Sequence, residues 1–200
     1  MSSSSLPSLK NHLPQDGIVN YIEDFYDEKK SQFFYQKLLK GIAWKHEELK
    51  MFGKKIVTKR KVALYGDTGI VYTYSKKEKI ALPWTEELRA IKTDLESKFN
   101  IKFNTCLLNL YYDGNEGMGW HTDDEKELEK NGIIASLSFG ATRKFSFKHK
   151  VTKEKIDISL QSGSLLLMRG KTQKHWLHQL PKSKKVDQPR INLTFRNIIG

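Results

Sequence analysis

Two hundred residues suit one domain with a full core and leave two complete domains cramped. A hydrophobic share of 38% beside 29% charged residues excludes a fibrous or low-complexity chain. The excess of 35 Lys and Arg over 23 Asp and Glu, a net charge of +12, favours a polyanionic partner: nucleic acid first, an acidic membrane surface second.

Residues 1–16, rich in Ser, Pro and Asn, are expected to form a loose arm, with 17–200 as a single domain. The N-terminal stretch lacks the apolar centre of a signal peptide, and no apolar run in the sequence is long enough to span a bilayer. The single cysteine, Cys106, sits in an apolar run and fits a small buried hydrophobe in a reducing compartment. These features predict an intracellular monomer without a membrane partner, cytoplasmic if bacterial and nuclear if eukaryotic.

Ile18–Ile22 reads as a short strand. From Tyr26 to Lys40 the period turns helical, with Phe34 and Leu38 on one face and Gly41 placed to stop it. A second helix follows Thr85, a capping residue with Glu86 and Glu87 at the positive end of the helix dipole. Leu88, Ile91, Leu95 and Phe99 form its apolar stripe, and Asn100 can end it. From Phe103 onward short apolar or β-branched runs alternate with turn residues: Thr105–Tyr112, Ile133–Phe139, Lys144–Lys148, Lys155–Leu160, Ser164–Met168, His175–Leu180 and Ile191–Asn197. Such regular short strands predict an α+β, mainly β, jelly roll with the helices covering one sheet.

In Trp120-His121-Thr122-Asp123, the spacing puts an imidazole and a carboxylate on one face of an extended strand. They are two-thirds of a facial triad of two histidines and one carboxylate, the usual cradle for non-haem iron. Alone, H-x-D recurs by chance. The third ligand must come from His149, His175 or His178. His149, between Lys148 and Lys150, reads as a wet strand end, while His175 and His178 fall on opposite faces of a regular strand, and spacing does not choose between them.

Arg190-Ile191-Asn192-Leu193-Thr194-Phe195-Arg196 alternates without a break. An edge strand with one wet face is the ordinary explanation. Two arginines flanking neutral polar residues also make a fork for a carboxylate. Asn109 and Tyr111 project together from an earlier strand, joined to the H-x-D run by the turn 113–117.

These pieces resemble the AlkB family of iron- and 2-oxoglutarate-dependent nucleic-acid dealkylases, and most resemble its members that repair duplex DNA. The matching segments are N-L-Y-Y-D-G, W-H-T-D-D-E, I-A-S-L-S-F-G-A-T-R, G-S-L-L-L-M, H-W-L-H-Q-L-P and P-R-I-N-L-T-F-R, with Met51–Lys54 and Tyr65–Asp67 upstream. The resemblance implies a double-stranded β-helix. It implies Fe(II) bound by His121, Asp123 and His178, with 2-oxoglutarate and O2 as cosubstrates. Arg190 and Arg196 would hold the 2-oxoglutarate carboxylates, with Asn109, Tyr111, Asn192 and Thr194 around them. Glu125 would sit at the damaged base. The implied reaction is oxidative demethylation of bases such as 1-methyladenine and 3-methylcytosine, yielding formaldehyde, succinate and CO2.

A methyl on a Watson–Crick nitrogen is hidden inside a duplex, so the base must be flipped out. The segment of about 45–80 carries the expected tools. Lys50, Lys54, Lys55, Lys59, Arg60 and Lys61 surround Phe52, which would fill the vacated gap. Without the resemblance this is a solvated basic loop. Tyr74 would stack on the flipped base opposite His121, and Tyr72 would bond nearby. The expected partner is duplex DNA, with single strands and RNA as alternatives. A non-nucleic-acid 2-oxoglutarate hydroxylase is the weaker alternative, because the basic loop counts against it.

Overall fold

The computed structural model describes residues 9–51, 54–74 and 77–199, with backbone alone for 47–51, 54–56, 72–74 and 77–79. In chain order the elements are β1 (Ile18–Ile22), α1 (Glu28–Gly41), β2 (Lys45–Met51), β3 (Lys54–Gly66), β4 (Val71–Tyr74), β5 (Lys77–Ile80), β6 (Leu82–Pro83) and α2 (Glu86–Phe99). Then follow β7 (Thr105–Tyr111), β8 (Met118–His121), β9 (Ile134–Gly140), β10 (Arg143–His149), β11 (Lys155–Leu160) and β12 (Leu165–Arg169). The chain closes with α3 (Thr172–His175), β13 (Trp176–Leu180) and β14 (Arg190–Arg196).

Both long helices start where a side-chain oxygen can take an orphan amide. Asp27 accepts from Lys30 N at 2.7 Å, so α1 begins at Glu28 and Tyr26 stays outside it. Thr85 caps α2 by accepting from Leu88 N, and Asn100 ends it in the left-handed conformation. α1 runs through Gly41 and stops at extended Ile42.

The strands form two facing antiparallel sheets. The larger runs β1-β12-β9-β14-β7-β3-β2, with β6 parallel beside β3; the smaller runs β11-β10-β13-β8, and β4 pairs with β5 in a two-stranded ribbon. From β7 to β14 the chain crosses between the sheets after every strand except β10, which is the jelly-roll path. The helices cover the outer face of the larger sheet. Phe34, Leu38, Leu88, Ile91 and Leu95 meet Leu108, Leu137, Ile191, Leu193 and Phe195 in the main core. A second core lies between the sheets, with Phe147, Ile158, Leu160 and Trp176 against Val19, Leu166 and Met168. The expected packing of helices on one sheet is therefore present. No helix among the described residues is long and apolar enough to cross a membrane.

Two expectations need correction. Residues 9–16, expected to belong to a loose arm, are tied down: Asn11 Oδ1 accepts from Leu13 N and Val19 N, Trp176 Nε1 donates to Gln15 O, and Leu13 is buried. β14 is not an edge strand with a wet face. It is central, between β9 and β7, and all seven of its residues are buried.

Candidate active site

The polar face of β14 is turned into a cavity between the sheets. Register fixes its neighbours: Arg190 stands opposite Tyr111 and Asn192 opposite Asn109 on β7, while Asn192 faces Ser138 and Thr194 faces Ser136 on β9. The smaller sheet supplies the opposite wall. On β13, His178 pairs directly with His121 of β8, and the chain continues from His121 to Asp123. The cavity is lined by Arg60, Asn109, Tyr111, His121, Asp123, Phe145, Met168, His178, Arg190, Asn192, Thr194 and Arg196, among others.

Ligand atoms of His121, Asp123 and His178 all lie within 4.8 Å of one another. Asp123 Oδ1 is 3.8 Å from His121 Nε2 and 3.9 Å from His178 Nε2. His121 Nδ1 lies 2.8 Å from Gly119 O, which draws the ring proton to Nδ1 and leaves the Nε2 lone pair for a metal. Burial drives the His178 pKa down to about 3, against the pull of Asp123, so this imidazole is neutral at any ordinary pH. Burial by itself would raise the Asp123 carboxyl; Arg196, followed by the two imidazoles, outweighs it and holds the group below its usual range. Two imidazole nitrogens and one carboxylate, with one face open to the cavity, suit a divalent iron.

Beyond the triad the cavity is built for an anion. Arg190 is buried, and burial lowers its pKa to about 10, with Tyr111 opposing the shift. Its Nη2 donates to Ser138 Oγ at 2.9 Å while its buried Nε has no hydrogen-bond partner among the described residues. A buried cationic donor of this kind calls for a carboxylate. Asn192 Nδ2 donates to Ser136 Oγ and Leu137 O, and the Thr194 hydroxyl donates to Asn192 Oδ1. Those two side chains therefore stiffen the wall between the arginines.

The remaining candidates divide. Arg60 is buried in the cavity wall, where its Nη1 donates to the Met118 sulphur. Glu125 is half-buried and lines an adjoining cleft with Asp123, Lys150, Gln173 and Lys174. Phe52 lies outside the described residues, as do the side chains of Tyr72 and Tyr74. Of the other two histidines considered for the metal, His149 is buried and not at a wet strand end: its Nδ1 accepts from Val151 N and Thr152 N. His175 closes α3 instead of joining the strand, and it stacks on His149.

Three important side chains went unforeseen. Ser136 and Ser138 carried a signal, since they alternate as the polar residues of an otherwise apolar strand. Arg143 carried none. It is buried and donates to Asp113 O, Glu116 O and Pro181 O, clamping the turn between β7 and β8 to the end of β13. Gly114 lets that turn press against Ser183, where any Cβ would collide with the carbonyl.

A family model described as the 2OG-Fe(II) oxygenase superfamily matches residues 18–196. The chain belongs to that superfamily, and within it to the AlkB family. It is 37% identical over 199 residues to the human protein named DNA oxidative demethylase ALKBH2, covering 94% of this chain and 76% of that one. The bovine protein of that name is 42% identical over 159 residues, covering 76% of this chain; the match spans 57% of the bovine protein's length. The solved structure described as "The structure of OsALKBH1" superposes with a TM-score of 0.59 at 18% identity, covering 94% of this chain and 99% of that one. That last likeness concerns the fold alone, and it agrees with the jelly roll. The family's iron and 2-oxoglutarate match the donor set described above.

Proposed function

We propose that this protein is a DNA oxidative demethylase that removes N-alkyl groups such as those of 1-methyladenine and 3-methylcytosine. The observation that carries the reading is the convergence, in one cavity, of His121, Asp123 and His178 with Arg190 and Arg196. The relatives' printed names supply the substrate class.

In this reading His121, Asp123 and His178 hold Fe(II). Arg190 and Arg196 offer positive charge to the carboxylates of 2-oxoglutarate, and Asn109 and Tyr111 border it. When bound, iron with 2-oxoglutarate and O2 supplies the oxidising power that hydroxylates the N-methyl carbon, and the product falls apart to formaldehyde and the repaired base. The chain's own work is electrostatic and steric. Asp123 brings one negative charge to the metal, the arginines balance the incoming dianion, and Phe145, Leu107 and Met168 keep that part of the cavity apolar.

Substrate recognition is assigned to about residues 45–80. Phe52 would act as the wedge in the duplex, and Tyr72 and Tyr74 would hold the extruded base. Arg60 would add charge at the cavity wall and Glu125 would meet the cationic lesion. A methylated base carries positive charge, so aromatic faces and a carboxylate favour it over a normal base. Duplex DNA is the favoured partner because a wedge helps only where a stack must be refilled.

The test is an anaerobic mixture of protein, Fe(II), 2-oxoglutarate and a methylated oligonucleotide, followed by O2 and measurement of formaldehyde. Formaldehyde in step with succinate is expected. Succinate without formaldehyde or base repair would sink the substrate assignment, and equal turnover of duplex and single strand would sink the duplex preference.

A further inference from the structure

The Gln173 side chain does not line the cavity of the triad, yet it is joined to the residue that supplies the triad's carboxylate. β8 ends at His121, so the backbone beyond it has left the sheet. The amide of buried Asp123 therefore has no ladder carbonyl and donates instead to Gln173 Oε1, 3.0 Å away. The other end of the same side chain points its Nε2 at the Met168 sulphur, 3.5 Å away. A thioether only accepts and a backbone N–H only donates, so both contacts demand one orientation of the Gln173 amide. The anchor is itself fixed. The neighbouring Thr172 hydroxyl bonds Ile18 and Arg169, and Lys150 Nζ donates to Gln173 O.

We infer that Gln173 is a positioning residue for the metal, holding the Asp123 backbone so that one carboxylate oxygen faces the imidazoles. The Asp123 carboxylate is contested. Arg196 Nη2 takes Oδ2 at 2.7 Å, while Oδ1 is the atom near both histidines. A guanidinium beside a carboxylate tends towards a two-pronged pair, which would draw Oδ1 away from the metal. Moving the Asp123 backbone towards Arg196, as a full two-pronged pair would require, would pull its N–H off Gln173 and leave a buried donor unpaired, which costs about 1–3 kcal/mol in general. The Gln173 oxygen thereby keeps the carboxylate shared between Arg196 and the metal. The inference rests on His121, Asp123 and His178 being the metal ligands, and not on the identity of the substrate.

The experiment uses the full chain stripped of metal and titrated with Mn(II), with free Mn(II) read by electron paramagnetic resonance in the absence of nucleic acid. Gln173→Leu removes the acceptor at similar volume, and Gln173→Glu keeps one. Outer partners of metal ligands are generally worth about 10–100-fold in affinity, so the Leu variant is expected to bind Mn(II) at least about tenfold more weakly. The Glu variant is expected to stay near wild type. If the Leu variant does not fold, Gln173→Ala gives the same reading, since this side chain borders the open cleft. Wild-type Mn(II) affinity in the Leu or Ala variant, with only the melting temperature lowered, would overturn the inference. So would equal losses in the Leu and Glu variants. Failure of the wild-type chain to bind Mn(II) would overturn the ligand assignment and this inference together, whereas intact binding without demethylation would overturn only the DNA reading.

Discussion

Arg196 Nη2 lies 2.7 Å from Asp123 Oδ2, and both side chains are buried. The two residues are 73 positions apart in sequence, and their contact joins the last strand of the larger sheet to the loop that leaves the smaller one. This ion pair ties the anion-binding face of β14 to the metal-binding triad. Removing the cation should therefore be felt at the metal as well as in stability. Arg196→Met is expected to cost about 3–5 kcal/mol, because it strands a buried carboxylate. In a chain of this size that is a fall of roughly 2–4 °C in Tm per kcal/mol. Thermal unfolding with and without Mn(II) checks it. A variant that melts with wild type would show that the pair contributes little.

His178 gives the metal-free protein a defined acid sensitivity. Its pKa is lowered from 6.5 to about 3 by burial, so the unfolded chain takes up a proton that the folded chain refuses. The stability this group contributes is fully present above pH 6.5 and is lost as pH falls towards 3, at up to about 1.4 kcal/mol per pH unit. Asp123, whose folded pKa is also depressed, acts in the same direction. His178→Gln removes the histidine's share, so its stability should fall less steeply with acid than wild type. Denaturant midpoints collected from pH 7 to pH 4 decide the matter, and parallel curves would refute the assignment.

How much of this was legible in the sequence follows from the range over which each signal acts. α2 was readable from Thr85 to Asn100 because cap, stripe and stop are all local. β14 was readable as a strand from its alternation, but its place at the centre of the sheet was not. Burial of its polar face depends on β7, β9 and the second sheet, which no local pattern encodes. His178 over His175 followed only from resemblance, because strand alternation sets the two on opposite faces without saying which face is inward, and the short helix α3 in fact takes in His175, so the strand starts only after it. Arg143 and Gln173 were silent, since a cation and an amide look the same in a sequence whether they serve backbone groups or water. The pairing of Ser136 and Ser138 with β14 lay between these cases, visible as a pattern but without a meaning until the register was known.

The clamp made by Arg143 predicts a stability effect with a local signature. Its guanidinium serves three carbonyls from two chain segments, a geometry that the point charge of a lysine does not reproduce. Arg143→Lys leaves buried carbonyls unserved, at about 1–3 kcal/mol for such groups. Hydrogen exchange should quicken in residues 113–117 and 181–186, which are fastened to each other by Gly114 N to Val186 O and Ser183 N to Gly114 O. Faster exchange confined to other segments would contradict the clamp.

The last prediction isolates the anion site from the metal site. Arg190 lies under the Tyr111 ring, is anchored to Ser138, and keeps a buried Nε without a hydrogen-bond partner among the described residues. Arg190→Gln keeps a polar group of lower reach and removes the charge. Hydrogen bonds to charged groups contribute about 1.5–3 kcal/mol, equivalent to roughly 10–150-fold in affinity. The Kd for 2-oxoglutarate should rise by that factor while Mn(II) affinity in the absence of 2-oxoglutarate stays at the wild-type value, because Arg190 is not paired with Asp123. Calorimetric titration of 2-oxoglutarate into the Mn(II)-loaded protein measures the first quantity without nucleic acid or turnover. Unchanged 2-oxoglutarate affinity would mean that the unpaired guanidinium nitrogen serves some other anion, and the role of β14 as the cosubstrate strand would fall with it.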